Sequence, residues 1–243
     1  MKASTGAWGA GPTAALWAAS YLYGSAPLIY WLGRWARVDL RAAGSGNVGA
    51  TNLLQHGGGA GKPLALVGWV FDASKGALPP TLALALGAPP TTAALAGVLG
   101  TAGQCWPATL RFRGGRGISA FVGAAALMDP VAWRLSLAPM IVGSGWRALG
   151  KRRSAGASEA GERPGRSRSV PLSCLIAVAL FPVACGVRSA SGQRSHSIAP
   201  LALSAVILLR RLTAALPDDA VAGPRRQPKA LLYRLLYDRN TRD

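Results

Sequence analysis

The stretch RAAGSGNVGATNLLQ, residues 41–55, sets three glycines, Gly44, Gly46 and Gly49, among small polar side chains. Glycines let backbone N–H groups close around a phosphate, above all where a helix begins. Ser45, Asn47, Thr51 and Asn52 add neutral hydrogen-bonding groups, and Arg41 adds a cation. The glycines also fit the bare GxGxxG pattern, but a dinucleotide fold needs a preceding apolar strand and a βαβ unit. Here the segment follows a long apolar run and the charged RWARVDLR, so that reading fails on context. What remains open is a phosphate cradle or a polar loop without a ligand. A second candidate cradle is RFRGGRG, residues 111–117, where Gly114, Gly115 and Gly117 alternate with Arg111, Arg113 and Arg116. Its chemistry is anion binding by backbone and guanidinium donors, with a plain topology signal as the alternative. Asp72 and Lys75 stand three apart inside an apolar run and share a helix face. Ionisable groups in such a run are costly, so they pair or they function. A neutralising structural pair and direct phosphate contact by Lys75 both fit.

The elements that hold these groups follow from charge and hydropathy. The chain has 243 residues, half of them hydrophobic, with 15% charged and a mean hydropathy of +0.26. Soluble domains carry roughly 25% charged residues. Residues 3–33, 76–110 and 169–187 have no charge, and about 20 apolar residues cross a bilayer core. These features predict an all-α polytopic membrane protein of seven transmembrane helices. The spans fall at 11–33, 63–86, 89–110, two within 117–149 broken at Asp129-Pro130, 170–187 and 197–212. The first apolar run exceeds the core of a cleaved signal peptide and reads as a retained span.

The domain expectation is a membrane domain over 1–216, with a flexible basic loop at 151–169, and a cytoplasmic tail over 217–243. In that tail Leu231, Leu232, Leu235 and Leu236 fall on one helical face, which would lie on the membrane surface or on the protein's own loops. The net charge is +18, and 22 of the 27 Lys and Arg residues lie in loops of one side. Basic loops stay cytoplasmic, so the N-terminus is expected outside and the C-terminus inside, with both cradles facing the cytoplasm. A nucleic-acid partner would need a basic face with interleaved aromatics on a soluble module, and none is visible. Cys105, Cys174 and Cys185 form no CxxC pair, and His56 and His196 are far apart, so no metal site is expected.

Taken in order, GSGNVGATN at 44–52, FDASKG at 71–76, GQCWP at 103–107 and FRGGRG at 112–117 resemble the bacterial glycerol-3-phosphate acyltransferases that use acyl phosphate. GSAP at 24–27 is similar to that family's start, and the resemblance covers about residues 20–130. It implies a multi-pass enzyme of the cell (inner) membrane, without metal or organic cofactor; membrane lipids are its expected partners and a monomer its expected state. The reaction it implies moves a fatty acyl group from acyl phosphate to the 1-hydroxyl of glycerol 3-phosphate, giving lysophosphatidic acid for phospholipid synthesis. Carried onto this chain, Ser45 and Asn47 become the catalytic pair. Arg41, Gly44, Gly46, Gly49, Thr51, Asn52, Lys75, Arg113, Gly114, Gly115, Arg116 and Gly117 become the substrate-binding set.

Several positions depart from the family pattern. Gln55 stands where the family has Arg, and Gln104 where it has His. The third motif, RHxxNIxRL in the family, reads Arg210-Arg211-Leu212-Thr213-Ala214 here. A dedicated base contributes about 10²–10⁴-fold, so losing the histidine slows the reaction without forbidding it. The departing phosphate can take the proton, and His56 is either a substitute base or an exposed loop residue. The second reading is therefore a divergent, non-catalytic homologue that binds acyl phosphate or anionic lipid, or a transferase with another acceptor.

Overall fold

The computed structural model describes residues 8–155, 169–191 and 198–214, together with positions 232, 235 and 236. Its described elements are helical. They run α1 (Ala10–Gly24), α2 (Leu28–Trp35), α3 (Ala50–His56), α4 (Gly61–Ala85), α5 (Pro90–Cys105), α6 (Ile118–Met128), α7 (Pro130–Ala155), α8 (Ser169–Ala190) and α9 (Ala199–Thr213). The expected flexible loop at 151–169 begins later: residues 151–155 continue α7 and Ser169 opens α8, because helical hydrogen bonding runs on past the apolar stretch. Residues 156–168 and nearly all of the expected tail helix lie outside the described residues.

The seven expected apolar segments coincide with α1 plus α2, α4, α5, α6, α7, α8 and α9. Three differences bear on the site. The first segment is two helices, broken at Ser25-Ala26-Pro27. Proline has no N–H and disfavours helical geometry in the residue before it. The carbonyl of Ser25 instead accepts from Thr109 Oγ1 at 2.6 Å. The third segment stops at Cys105, ahead of Trp106-Pro107, rather than running to 110. The polar segment 34–62 contains a helix, α3, which the reading as a loop lacked. Among the described residues one stretch, Pro171–Ala190, is long and apolar enough to cross a bilayer by itself, at mean hydropathy 1.9. The other helices are shorter or carry polar residues inside, as α4 does with Asp72 and Lys75.

Helix α4 is the centre, packing on α1, α2, α3, α5 and α6, while α7, α8 and α9 close the far side. Small residues permit this closeness. A Cβ on Gly76 would overlap the carbonyl of Ala120, and one on Gly100 the carbonyl of Lys75. Backbone-to-backbone packing of this kind gives helices dispersion contact without bulky side chains. The larger core residues gather between α6, α8 and α9. There Phe121 and Phe181 meet edge to face at 5.5 Å, with Val178, Leu203 and Ile207 fully buried. Outside, the pattern inverts that of a water-soluble protein: Leu66, Val70, Leu86, Ile141, Val142, Val183 and Val187 are all more than half exposed. Apolar surface on this scale marks contact with something other than water.

Asp129 organises the turn between α6 and α7. Its Oδ1 accepts from the N–H groups of Val131 and Ala132 at 3.0 and 3.1 Å, and its Oδ2 meets Arg188 Nε at 2.9 Å. Burial works against the charged carboxylate. The donors from Ala132, Arg188 and Val131 outweigh it and hold the carboxyl below its ordinary range.

Candidate functional site

The two glycine segments meet. Gly115 sits against the carbonyl of Val48, and both line one small cavity. The wall also takes in Ala26 and Pro27 from the break between α1 and α2, Asp72 and Lys75 from α4, Gln104 from the end of α5, and Gly114, with Ile29, Pro107 and Leu110 as its apolar part. Its volume is about 20 Å³, enough for one water molecule.

Lys75 Nζ lies 2.7 Å from Asp72 Oδ1, and both side chains are almost fully buried. Their three-residue spacing on α4 places them on one face, as expected. Lys75 also lies over the Phe71 ring, 5.2 Å from its centroid. Gln104 extends the pair: its Nε2 donates to Asp72 Oδ2 at 2.5 Å. The polar line Lys75–Asp72–Gln104 thus joins α4 to α5 at the floor of the cavity.

The loop 111–117 is fastened from two sides. The N–H of Gly115 donates to the carbonyl of Gln104 at 3.1 Å. Arg210, buried on α9, donates from Nη2 to the carbonyl of Gly114 at 2.6 Å and from Nε to that of Gly115 at 2.9 Å. The guanidinium lies 5.9 Å from the Trp106 ring centroid, and the Trp106 carbonyl accepts from Tyr21 Oη at 2.7 Å. Gly117 begins α6 with φ +78, and a Cβ there would meet Cys105 Sγ and Ile207 Cδ1. Arg111 and Phe112 also hold positive φ, so the loop is tightly wound before the glycines.

The first segment is built around Asn52. Its Nδ2 lies 3.0 Å from the carbonyls of Leu40, Ala43 and Asn47, tying the loop into a ring. Gly44 and Gly46 take left-handed φ of 55 and 66, and Gly49 stands at the N-cap of α3. The Oδ1 atoms of Asn47 and Asn52 are buried without a hydrogen-bond partner among the described residues. Ser45 and Thr51 are exposed beside them. Arg41 pairs with Asp39 at 3.1 Å and donates to Tyr30 Oη at 2.9 Å. The hydrogen bond from Arg41 holds the Asp39 carboxyl below its ordinary range. His56 is exposed, with Nδ1 3.2 Å from the carbonyl of Asn52.

Of the expected site residues, Lys75, Gly114 and Gly115 line the cavity itself. Ser45, Thr51 and Arg113 are exposed, Asn47 and Arg116 are half-buried, and Asn52 is a loop fastener. Arg210, which matches the first Arg of the third motif, enters the site as a clamp on the glycine loop, a role the motif did not reveal. A signal was present: two arginines, 210 and 211, continue an apolar helical run, where cations are costly. Arg211 serves the fold, donating at 2.7 Å to the carbonyls of Leu235 and Pro171. Among the described residues no group of three His, Cys, Asp or Glu could hold a metal, and the three cysteines are buried and form no disulfide.

The family profile for glycerol-3-phosphate acyltransferase matches residues 14–215. A relative from Dehalococcoides mccartyi (strain CBDB1), glycerol-3-phosphate acyltransferase 4, is 47% identical over 120 residues, covering 49% of this chain and 50% of its own. Glycerol-3-phosphate acyltransferase 1 of Deinococcus radiodurans is 46% identical over 112 residues, 46% of this chain and 55% of that one. The chain spans about half the length of the curated relatives it matches. A crystal structure of PlsY, an integral membrane glycerol 3-phosphate acyltransferase in its glycerol 3-phosphate form, shares the fold. Its TM-score is 0.63 at 23% identity, over 82% of this chain and 88% of that one. With the profile running from the first helix past the last, the chain belongs to the glycerol-3-phosphate acyltransferase family.

Proposed function

We propose that this chain transfers a fatty acyl group from acyl phosphate to the 1-hydroxyl of glycerol 3-phosphate, yielding lysophosphatidic acid and phosphate. The observation that carries the reading is the convergence of both glycine segments on the Lys75–Gln104 cavity, which brings four separate parts of the chain together around one buried ammonium. The acceptor oxygen forms a bond to the acyl carbon as the bond from that carbon to the phosphate oxygen breaks, and the departing phosphate takes the hydroxyl proton. The site then has two anions to place and no difficult leaving group to expel. Backbone donors of the glycine loops, with Arg113 and Arg116, hold the phosphates, and Lys75 faces the acceptor from the cavity. Ser45 and Asn47 position the acceptor. Such placement and preorganised electrostatics can carry most of a rate enhancement.

The bundle is a membrane domain of seven passes over 1–216, in the cell (inner) membrane, with the site at its cytoplasmic end and the tail from 217 in the cytoplasm. The exposed apolar belt and the one-sided loop charge support this arrangement. Membrane lipids and the two substrates are its partners, and the chain works as a monomer.

The test is incubation of the purified chain with acyl phosphate and glycerol 3-phosphate. Lysophosphatidic acid and phosphate should appear in equal amounts. Their absence would turn the reading to a non-catalytic relative that binds acyl phosphate or anionic lipid, which the structural use of Arg211 at a motif position favours.

A further inference from the structure

Gln104 is 6% exposed and holds a fixed orientation. Its amide nitrogen faces the Asp72 carboxylate, which accepts hydrogen bonds only, so the nitrogen and not the oxygen must lie on that side. The amide oxygen is then committed to the other side, buried and without a hydrogen-bond partner. Buried polar atoms in native proteins are rarely left so, and each one that is calls for an explanation. Lys75 presents the complementary case. An ammonium has three donors, and among the described residues its ionic partner is Asp72. Both side chains line the same cavity, whose volume of about 20 Å³ admits one oxygen-sized group.

We infer that this cavity holds a hydroxyl of the acceptor substrate, and that the hydroxyl is the one that does not react. The inference rests on the transferase reading and adds its selectivity. A hydroxyl satisfies both neighbours at once, since its oxygen accepts from Lys75 while its hydrogen goes to Gln104 Oε1. A carbonyl or a phosphate oxygen has no hydrogen to give Gln104, and a methylene serves neither group. An oxygen whose lone pair is held by an ammonium is a poor nucleophile, and an amide oxygen does not remove a proton. In glycerol 3-phosphate these conditions select the middle hydroxyl and leave the terminal one free to meet the acyl phosphate. Sites built to hydrogen-bond a buried hydroxyl reject the analogue that lacks it far more strongly than apolar pockets reject a missing methylene.

The experiment compares glycerol 3-phosphate with 3-hydroxypropyl phosphate, which lacks only the middle hydroxyl, as acceptors for the full chain. The parent should favour glycerol 3-phosphate in kcat/KM by at least about 100-fold. Gln104→Met, similar in volume but without the amide, should narrow that preference by about 10- to 100-fold, the scale of one buried hydrogen bond. Gln104→His retains one donor and one acceptor and should keep the preference. It also covers the case in which the methionine variant does not fold. Equal use of the two acceptors by the parent, or an unchanged preference in Gln104→Met, overturns the inference. Calorimetric binding of the same two phosphates separates the two readings. A parent that binds glycerol 3-phosphate selectively without transferring acyl groups upholds the hydroxyl site and overturns the reaction. A parent that transfers without selectivity does the opposite, and one that neither binds nor transfers overturns both.

Discussion

Arg210 of α9 and Gly114 of the loop before α6 are 96 residues apart and joined by a 2.6 Å hydrogen bond, the shorter arm of a fork whose other arm reaches Gly115. The donor is a buried cation and the acceptors are loop carbonyls, so the bond fixes the orientation of the glycine backbone from the side opposite the Gly115 N–H bond to Gln104. Arg210→Ala should lower stability by about 1.5–3 kcal/mol for each charge-assisted bond lost. It should cut activity at least tenfold more than it cuts folded yield. Arg210→Lys keeps the charge but not the planar fork and should recover little. Thermal unfolding in detergent, read beside the transferase assay, checks this; an unchanged midpoint in the alanine variant would make the clamp idle.

The buried pair Asp72–Lys75 gives a cycle with a definite sign. Either Lys75→Met or Asp72→Leu alone leaves an uncompensated buried charge, at a cost of about 3–5 kcal/mol. The double variant should regain most of that stability and none of the activity, because Lys75 also lines the cavity. Additive losses in the double variant would contradict the pairing.

Close helix packing makes glycine positions unequal. A Cβ at Gly76 meets backbone of α6, whereas one at Gly59 meets nothing within 4 Å. Gly76→Ala should therefore destabilise by about 1–3 kcal/mol or more, and Gly59→Ala should stay within about 0.5 kcal/mol of the parent. Equal midpoints for the two variants would show that α4 and α6 separate freely.

Ser45 is exposed, and no histidine hydrogen bond reaches it among the described residues. Direct transfer, with Ser45 positioning the acceptor, predicts that the parent forms no acyl-enzyme when acyl phosphate is supplied alone. It also predicts reduced activity in Ser45→Ala. Intact-mass spectrometry decides: an acyl adduct on Ser45 would establish a two-step route instead.

Loop charge predicts the placement of the C-terminus and of the segment before α9. A reporter fused after Asp243 should read cytoplasmic, and one inserted within 189–195 should read external. The reverse result would move the glycine cradles to the outer face.

The apolar segments were legible because hydropathy is a sum over many residues, insensitive to any single one. The Asp72–Lys75 pair was legible for the opposite reason, as two charges conspicuous in an apolar run. The break at Pro27 was hidden inside a segment whose composition never changes, and only the ring's geometry ends α1 there. The joining of Val48 to Gly115 was not legible, because loop-to-loop contact depends on how α4 and α5 present their ends. Gln104 was noticed as a departure in a motif. Its bond to Asp72 depends on the register of two helices, which spacing along one strand of sequence does not encode.

The dependence of the glycine loop on α9 has a consequence in time. A ribosome adds about 5–20 residues per second, so roughly 5–20 s separate the emergence of Gly115 from that of Arg210. Throughout that interval a nascent chain carries both cradles and the buried ion pair but lacks the guanidinium that sets the second cradle. Chains arrested before the last helix would hold the second glycine loop from the Gln104 side alone.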